Sequence, residues 1–298
     1  MKRNALLSLI LVLGVALFVF SQINAASAEE FKVIRFGLIP SEDADKLIAD
    51  SRPFIEALEK NIGIPIKPYV AIDYSAVIEA LKSDHLEIAF LGPAAYVLAK
   101  DKVGAEIKAV ARGIMAKTGK SSYQMYLITP LDSPIYDVQD LKGKTFAFVD
   151  PASTSGNFMP RFVFDRNHIN PEKDFKTIYY SGTHQASLIA VRERKVDAAA
   201  IASEVYDLAI DRGQIKASDL RVFYRSQPIP GSPFVVRTNL PKELVAKLTK
   251  SFLTLKGVRF GKLGVVTAMD PATDADYNIV RALVAAKEKA KLKAKKKK

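Results

Sequence analysis

The sequence contains no cysteine and no tryptophan among its 298 residues. The absence of cysteine excludes disulfides, thiolate zinc sites, iron–sulfur clusters, cysteine nucleophiles and a lipid-modified N-terminal cysteine. Histidine is nearly as scarce, with three residues, His85, His168 and His184. They are far apart and lack the spacing of metal ligands, which argues against a zinc site. We therefore predict neither a metal nor a cofactor.

Sequence motifs for several kinds of phosphate and acyl chemistry are also missing. No P-loop occurs in the right frame, and neither Gly-x-Gly-x-x-Gly nor Gly-x-Ser-x-Gly is present. A hydrolase needs a nucleophile, a base and an acid that orients the base. Serines, threonines and His184 offer the first two, but Glu204 and Asp207 are candidates for the third only by their position. We predict that the protein is not an enzyme.

The first 28 residues have the pattern of a secretory signal peptide. Lys2 and Arg3 precede an apolar run over residues 5–20, and small residues follow up to Ala28. This pattern predicts export with cleavage after Ala28. An uncleaved membrane anchor is the alternative, although the run is short for a bilayer span. We expect the mature protein in a bacterial periplasm.

Positive charge is concentrated at the two ends of the chain, which has a formal net charge of +12. Two of these charges precede the predicted cleavage site, and residues 287–298 add a net seven, which leaves +3 for the body. So small an excess is not typical of a nucleic-acid-binding protein, and we predict no nucleic-acid partner. We interpret residues 285–298 as a disordered Lys-rich tail, in a protein that is peripheral to the inner membrane.

The chain is predicted to contain two successive blocks in which strands and helices alternate. Apolar runs at 31–40, 64–70 and 86–91 are each followed by a predicted helix, and the same plan recurs from residue 144 onward. This order predicts an α/β fold with two lobes.

We assign residues 29–125 and 226–284 to lobe 1 and residues 126–225 to lobe 2, so that two crossover segments join the lobes. Ligands of open α/β sheets collect at the carboxyl ends of the strands. Two facing lobes can close on such a ligand by hinge motion. We therefore expect a binding cleft between the lobes.

The segment Val149–Phe158 connects a predicted strand to a predicted helix through small polar residues. Ser153, Thr154 and Ser155 offer hydroxyl groups, and Gly156 removes a side chain where a ligand would approach closely. The free N–H groups of a helix N-terminus form a site for an anion. The alternative is an N-capping loop without a ligand.

His184 follows Ser-Gly-Thr at a second predicted strand–helix junction. Its ring would face the cleft and donate to an oxyanion as a neutral imidazole, because a helix N-terminus lowers the pKa of histidine. A helix cap and a catalytic base are the alternatives.

Four further residues lie at predicted loop or crossover positions, namely Tyr74, Tyr123, Glu204 and Ser232. Tyrosines in a cleft supply an apolar wall and a hydroxyl donor. Glu204 either binds a cationic group of a ligand or caps its own helix.

Several motifs resemble one known family. They are Phe90-Leu-Gly-Pro-Ala-Ala-Tyr96, Asp150-Pro-Ala-Ser-Thr-Ser-Gly156 and Tyr180-Ser-Gly-Thr-His184. Together they are similar to the phosphate/phosphite/phosphonate ABC-transporter substrate-binding family, over roughly residues 31–284. The resemblance implies a two-lobed type II periplasmic binding protein fold.

The resemblance also implies roles for individual residues. Ser153, Thr154 and Ser155 match the oxygen ligands of the family, His184 matches its oxyanion-binding histidine, and Tyr74 and Tyr123 match cleft tyrosines. Glu204 falls where aminoalkylphosphonate binders place a carboxylate for the amine. Ser232 departs from the pattern, because many relatives carry an acid there, and this departure argues against a cationic phosphonate.

The predicted function is that of a periplasmic solute-binding protein of an ABC importer. It would capture a phosphorus oxyanion (phosphonate, phosphite or phosphate) between the lobes and deliver it to the permease. The ligand-binding subunit of a sensory system on the same fold is the alternative. An enzyme of pyrimidine-cofactor metabolism is a third reading, against which the predicted signal peptide speaks.

Overall fold

The computed structural model describes residues 31–295, with side chains described as far as residue 289. The predicted signal peptide, residues 1–28, lies outside this part of the chain. The architecture below concerns the unit that begins at Val33. Within residues 31–295, no helix combines the length and the apolar character that a membrane span requires.

The described residues contain fourteen strands. In chain order they are β1 (Ile34–Leu38), β2 (Ile66–Val70), β3 (Ile88–Phe90), β4 (Ile107–Met115), β5 (Ser122–Tyr123), β6 (Met125–Pro130), β7 (Thr145–Phe148), β8 (Thr177–Tyr180), β9 (Ala198–Ala202), β10 (Leu220–Arg225), β11 (Ile229–Pro230), β12 (Phe234–Arg237), β13 (Val258–Phe260) and β14 (Gly264–Pro271).

Nine α-helices accompany these strands in the same residues. They are α1 (Ala44–Ile62), α2 (Tyr74–Lys82), α3 (Pro93–Val97), α4 (Met159–Arg166), α5 (Pro171–Asp174), α6 (His184–Arg192), α7 (Ser203–Asp211), α8 (Lys242–Thr254) and α9 (Asn278–Lys295). Two π-helical turns (Leu98–Lys102 and Thr154–Phe158) and three 3-10 turns (Gln139–Leu141, Gly261–Leu263 and Asp274–Tyr277) complete the elements.

Two mixed sheets form the centres of the two lobes. The first has seven strands in the order β13-β14-β4-β12-β3-β1-β2, and the second has five in the order β10-β6-β9-β7-β8. In each sheet the strands that lead into site helices run parallel, as β1 does with β3 and β7 with β9. Their carboxyl ends therefore carry the loops that the sequence singled out.

The chain crosses between the sheets in two segments that pair with each other. β5 and β11 are antiparallel, with Tyr123 opposite Ile229. The second sheet extends from Met125, where β6 begins, to Arg225, where β10 ends. The two-lobed α/β fold is thus confirmed, while the exact lobe boundaries at 125/126 and 225/226 stay a prediction.

Aromatic side chains hold each lobe together. In lobe 1, Phe234 stacks on Phe54 and tilts against Phe90, with ring centroids 4.9 Å apart in both pairs. In lobe 2, Phe146 packs edge-on against Phe148 and Phe164 at 4.9 and 5.3 Å. All six rings are buried. Each sheet is therefore a rigid base for the loops at its edge.

The C-terminal segment differs from the prediction. α9 continues to Lys295, so the prediction of disorder is wrong for residues 285–295. Alanine, leucine and lysine favour helix, and tertiary contacts hold this helix in place. Glu288 accepts from Lys102 at 2.8 Å, and the Lys287 ammonium lies 4.4 Å from the centroid of the Phe158 ring.

Candidate functional site: the interlobe anion site

The loop after β7 enters a π-helical turn that continues directly into α4. Ser153 is the N-cap, and its Oγ accepts the N–H of Gly156 at 3.0 Å. The carbonyl of Ser153 accepts the N–H of Phe158. Within the described chain, no hydrogen-bond acceptor is found for the N–H groups of Thr154 and Ser155. A helix end with unpaired donors attracts a negative charge.

Gly156 serves this loop in another way than the sequence suggested. An added Cβ would lie 2.4 Å from Val149 Cβ and 2.8 Å from Ser153 Oγ. The expectation that Gly156 makes room for the ligand is therefore wrong. Its missing side chain lets the turn pack against the end of β7, which fixes the direction of the free N–H groups.

The loop also bonds to lobe 1. Thr154 Oγ1 accepts the N–H of Ala94 at 2.8 Å, at the N-terminus of α3. Asp150 Oδ1 accepts the N–H of Ala152, and its Oδ2 accepts the N–H of Tyr74 at 3.4 Å. Burial is the main reason that the pKa of Asp150 is raised. Both contacts hold the two lobes together around the loop.

Two tyrosines complete the cluster of hydroxyl groups. Tyr74 comes from lobe 1, and Tyr123 comes from the crossover segment. Tyr74 interacts with the side chain of Ser153, and Tyr123 with those of Ser155 and Thr154. Both tyrosines are buried, and burial above all raises the pKa of each hydroxyl. They therefore stay protonated and can donate hydrogen bonds.

His184 is the first residue of α6, and its ring is buried in the site. The backbone N–H of Ala202 donates to His184 Nδ1 at 3.1 Å. A neutral imidazole has one accepting and one protonated nitrogen, so the proton is on Nε2. Burial lowers the pKa of His184 well below its usual value, and the charge of Lys262 lowers it further. The sequence attributed the neutral form to the helix N-terminus, but burial is the main cause.

Glu204 and Ser232 both contact Lys262, a residue that the sequence analysis did not identify as part of the site. Lys262 Nζ lies 3.2 Å from Glu204 Oε1 and donates to Ser232 Oγ at 3.3 Å. All three are at most 5% exposed. Lys262 sits in the 3-10 turn between β13 and β14, where Phe-Gly-Lys-Leu-Gly carries no recognisable motif. The sequence gives no signal that separates this lysine from the many exposed ones.

The structure thus brings the predicted site residues into one buried cluster from both lobes. The charge of Glu204 acts on Tyr123 and Tyr74, and that of Lys262 acts on His184. Gly156 is the exception, because it packs behind the loop. The arrangement offers neutral N–H and O–H donors, and its one buried cation is already paired with a carboxylate.

Comparisons with known proteins agree with this geometry. Residues 36–277 match the model of the family "ABC transporter, phosphonate, periplasmic substrate-binding protein". The phosphonates-binding periplasmic protein of Escherichia coli K12 is 32% identical over 234 residues, which cover 77% of this chain and 68% of that protein. The phosphate-import protein PhnD of Mycolicibacterium smegmatis is 31% identical over 280 residues, 87% of each chain.

The chain belongs to this family. A solved binding protein component of an ABC phosphonate transporter from Pseudomonas aeruginosa has the same fold, with a TM-score of 0.78 and 30% identity over 87% of each chain. The family and the fold that the motifs predicted are confirmed. These family members are substrate-binding proteins of transporters, and the family is periplasmic.

A first prediction concerns Gly156. We expect Gly156→Ala to lower the free energy of unfolding by about 1–3 kcal/mol, because the new methyl group overlaps Val149. Chemical denaturation measures this. Gly92→Ala is the matched control, since its Cβ would meet its nearest neighbour at an ordinary 3.6 Å, and we expect a change within about 0.5 kcal/mol. Equal stability of the two variants would contradict this account of Gly156.

A second prediction concerns pH. The pKa of His184 is lower in the folded than in the unfolded state, so only the unfolded chain takes up a proton as the pH falls below about 6.5. The stabilisation is complete above that pH and is lost below it, by up to about 1.4 kcal/mol per pH unit. We expect His184→Gln to remove this part of the pH dependence in chemical denaturation between about pH 4.5 and pH 7.5, from about two units below the unperturbed histidine pKa to about one unit above it.

The control replaces the exposed His85 by glutamine, which keeps the number of histidines equal. A His184→Gln variant whose stability follows the wild-type pH profile would show that the pKa of His184 is the same in the folded and unfolded chain, and would contradict the lowering of this pKa by burial.

Proposed function

We propose that the buried cluster captures a phosphorus oxyanion and that the protein delivers it to the transmembrane subunits of an ABC importer. The observation that carries this is the unpaired N-terminus of the π-helical turn, surrounded by hydroxyl groups and by the neutral His184 ring. The oxygens of the ligand would accept from the N–H groups of Thr154 and Ser155, from the hydroxyls and from His184 Nε2.

The chemistry of the donors supports an oxyanion with several oxygens. Ser153, Ser155, Tyr74 and Tyr123 each carry a hydroxyl that can donate, and they belong to three separate segments of the chain. Hydrogen bonds from neutral donors to a charged group are stronger than those between neutral groups. Relatives named for phosphonates and for phosphate import support this ligand class.

Burial implies that binding requires the lobes to move. The site residues are at most 5% exposed, so a ligand cannot enter while the lobes are in contact. Arg212 at the end of α7 forms ion pairs with Glu42 and Asp50 of lobe 1. These pairs, with the Thr154–Ala94 and Asp150–Tyr74 bonds, close the cleft. The β5–β11 pair is the natural hinge, because it joins the lobes at their crossover.

The cellular setting follows from the family and the N-terminal sequence. We propose that residues 1–28 direct export and are removed, and that the mature protein meets its permease at the outer face of the inner membrane. The family is one of transport proteins, which favours transport over a sensory role. Delivery would then couple cleft opening to contact with the permease.

Calorimetric titration of the mature protein tests the proposal. We expect at least one of phosphate, phosphite, methylphosphonate and 2-aminoethylphosphonate to bind more tightly than about 100 μM, or roughly −5.5 kcal/mol. Sulfate serves as the control for unspecific anion binding. Affinities weaker than this for the entire panel would overturn the proposal.

Thr154 tests the site itself. Thr154→Val removes the hydroxyl, and we expect the free energy of binding to fall by about 1.5–3 kcal/mol, because a hydrogen bond to a charged group is lost. Thr154→Ser keeps the hydroxyl and is the matched control, with affinity expected near wild type. If Thr154→Val binds the best ligand of the panel as tightly as Thr154→Ser does, Thr154 is not a ligand-binding residue.

A further inference from the structure

We propose that Lys262 is a specificity-determining residue, which neutralises Glu204 within the site and restricts the ligands to phosphorus oxyanions whose fourth substituent carries no charge. This inference rests on the proposed function, since it concerns the same cleft. It adds a positive charge, supplied by the chain itself, at the place where a ligand amine would otherwise be attracted.

The position of Lys262 is fixed by several contacts. Its ammonium pairs with Glu204 Oε1 at 3.2 Å and bonds to Ser232 Oγ at 3.3 Å. It also lies 5.2 Å from the centroid of the Tyr123 ring and 5.8 Å from that of Phe90. Both charged side chains are almost completely buried, at 4% and 2% exposure. A pair so enclosed is screened little by solvent.

The pair lies next to the oxyanion donors. Tyr123, under the Lys262 ammonium, interacts with Ser155 and Thr154 of the anion loop. Glu204 acts electrostatically on the same tyrosine, and Lys262 on His184. A ligand held by the loop therefore has the Glu204–Lys262 pair as a neighbour.

The charge balance disfavours a cationic ligand. Without Lys262, Glu204 would be a buried carboxylate that an ammonium group could neutralise. With Lys262 in place, a second ammonium would leave two positive charges on one carboxylate, in a site with little water to screen them. A carboxylate group on the ligand would instead be repelled by the negative charge of Glu204.

A neutral donor fits the remaining position. Glu204 Oε2 is buried and has no hydrogen-bond partner among the described residues. A buried acceptor without a donor is costly. A hydroxyl on the ligand phosphorus would satisfy this oxygen without adding charge, and Ser232 provides no competing carboxylate.

The wild-type protein gives the first test, by calorimetric titration with methylphosphonate and 2-aminoethylphosphonate. These ligands share the oxyanion and differ in the charge of the substituent. We expect methylphosphonate to bind at least about tenfold more tightly. Equal affinities, or tighter binding of the amine, would overturn the role of Lys262. Absence of binding for every phosphorus oxyanion would be a failure of the proposed function, which is a different result.

Lys262→Met gives the second test, because it frees Glu204 while keeping a flexible stem of similar length. We expect the ratio of the two affinities to shift by at least about tenfold toward 2-aminoethylphosphonate. Lys117→Met is the matched control, since Lys117 forms an exposed ion pair with Asp211 between the same two lobes, at 2.8 Å. It should change both affinities equally. An unchanged ratio in folded Lys262→Met would refute the inference.

The double variant Lys262→Met/Glu204→Gln addresses the stability of the site, because it removes both charges and leaves no unpaired one. We expect it to bind methylphosphonate but to show no gain for the amine. A gain equal to that of the single variant would show that Glu204 is not the group that Lys262 neutralises. If Lys262→Met does not fold, the double variant still tests the proposal, because tighter binding of 2-aminoethylphosphonate to a variant without the Glu204 charge would contradict it.

Discussion

The unpaired N–H groups at the start of the π-helical turn impose the conditions that the rest of the site meets. They lie in a buried loop, where donors without acceptors are costly. Ser153 caps one of the donors of the turn, and Gly156 lets the turn pack against Val149. The N–H groups of Thr154 and Ser155 stay available for an anion. Lobe 1 is needed as well, because one loop of lobe 2 cannot surround an oxyanion on all sides.

Charge compensation explains how such a site can be buried. His184 is neutral, the tyrosines are protonated, and Lys262 is paired with Glu204. The site therefore carries no uncompensated buried cation, and an anion is held by dipoles and hydrogen bonds. An isolated buried lysine would bind an anion strongly, but it would also destabilise the closed lobes in the absence of ligand.

Regular local patterns accounted for much of the fold. Apolar runs that lead into helices indicated β1, β3, β7 and β9, because a strand buried in a sheet and an amphipathic helix each leave a short-range signature. The hydroxyl run at 153–155 and the His184 junction were also visible as local sequence. The tail was misjudged, since its lysines suggested solvated disorder while contacts to Lys102 and Phe158 stabilise a helix.

The sequence by itself determined the family, the two-lobed α/β plan and the strand–helix junctions that supply the anion donors, because these depend on neighbours along the chain. Only the tertiary structure decided what Gly156 is for, which nitrogen of His184 carries the proton, and that Lys262 meets Glu204. The last two depend on atoms that are distant in sequence, namely Ala202 for His184 and the β13–β14 turn for Glu204, whereas the role of Gly156 depends on how the turn folds back onto Val149. A lysine in an unremarkable turn becomes part of the site only when folding removes it from water and places it beside a buried carboxylate.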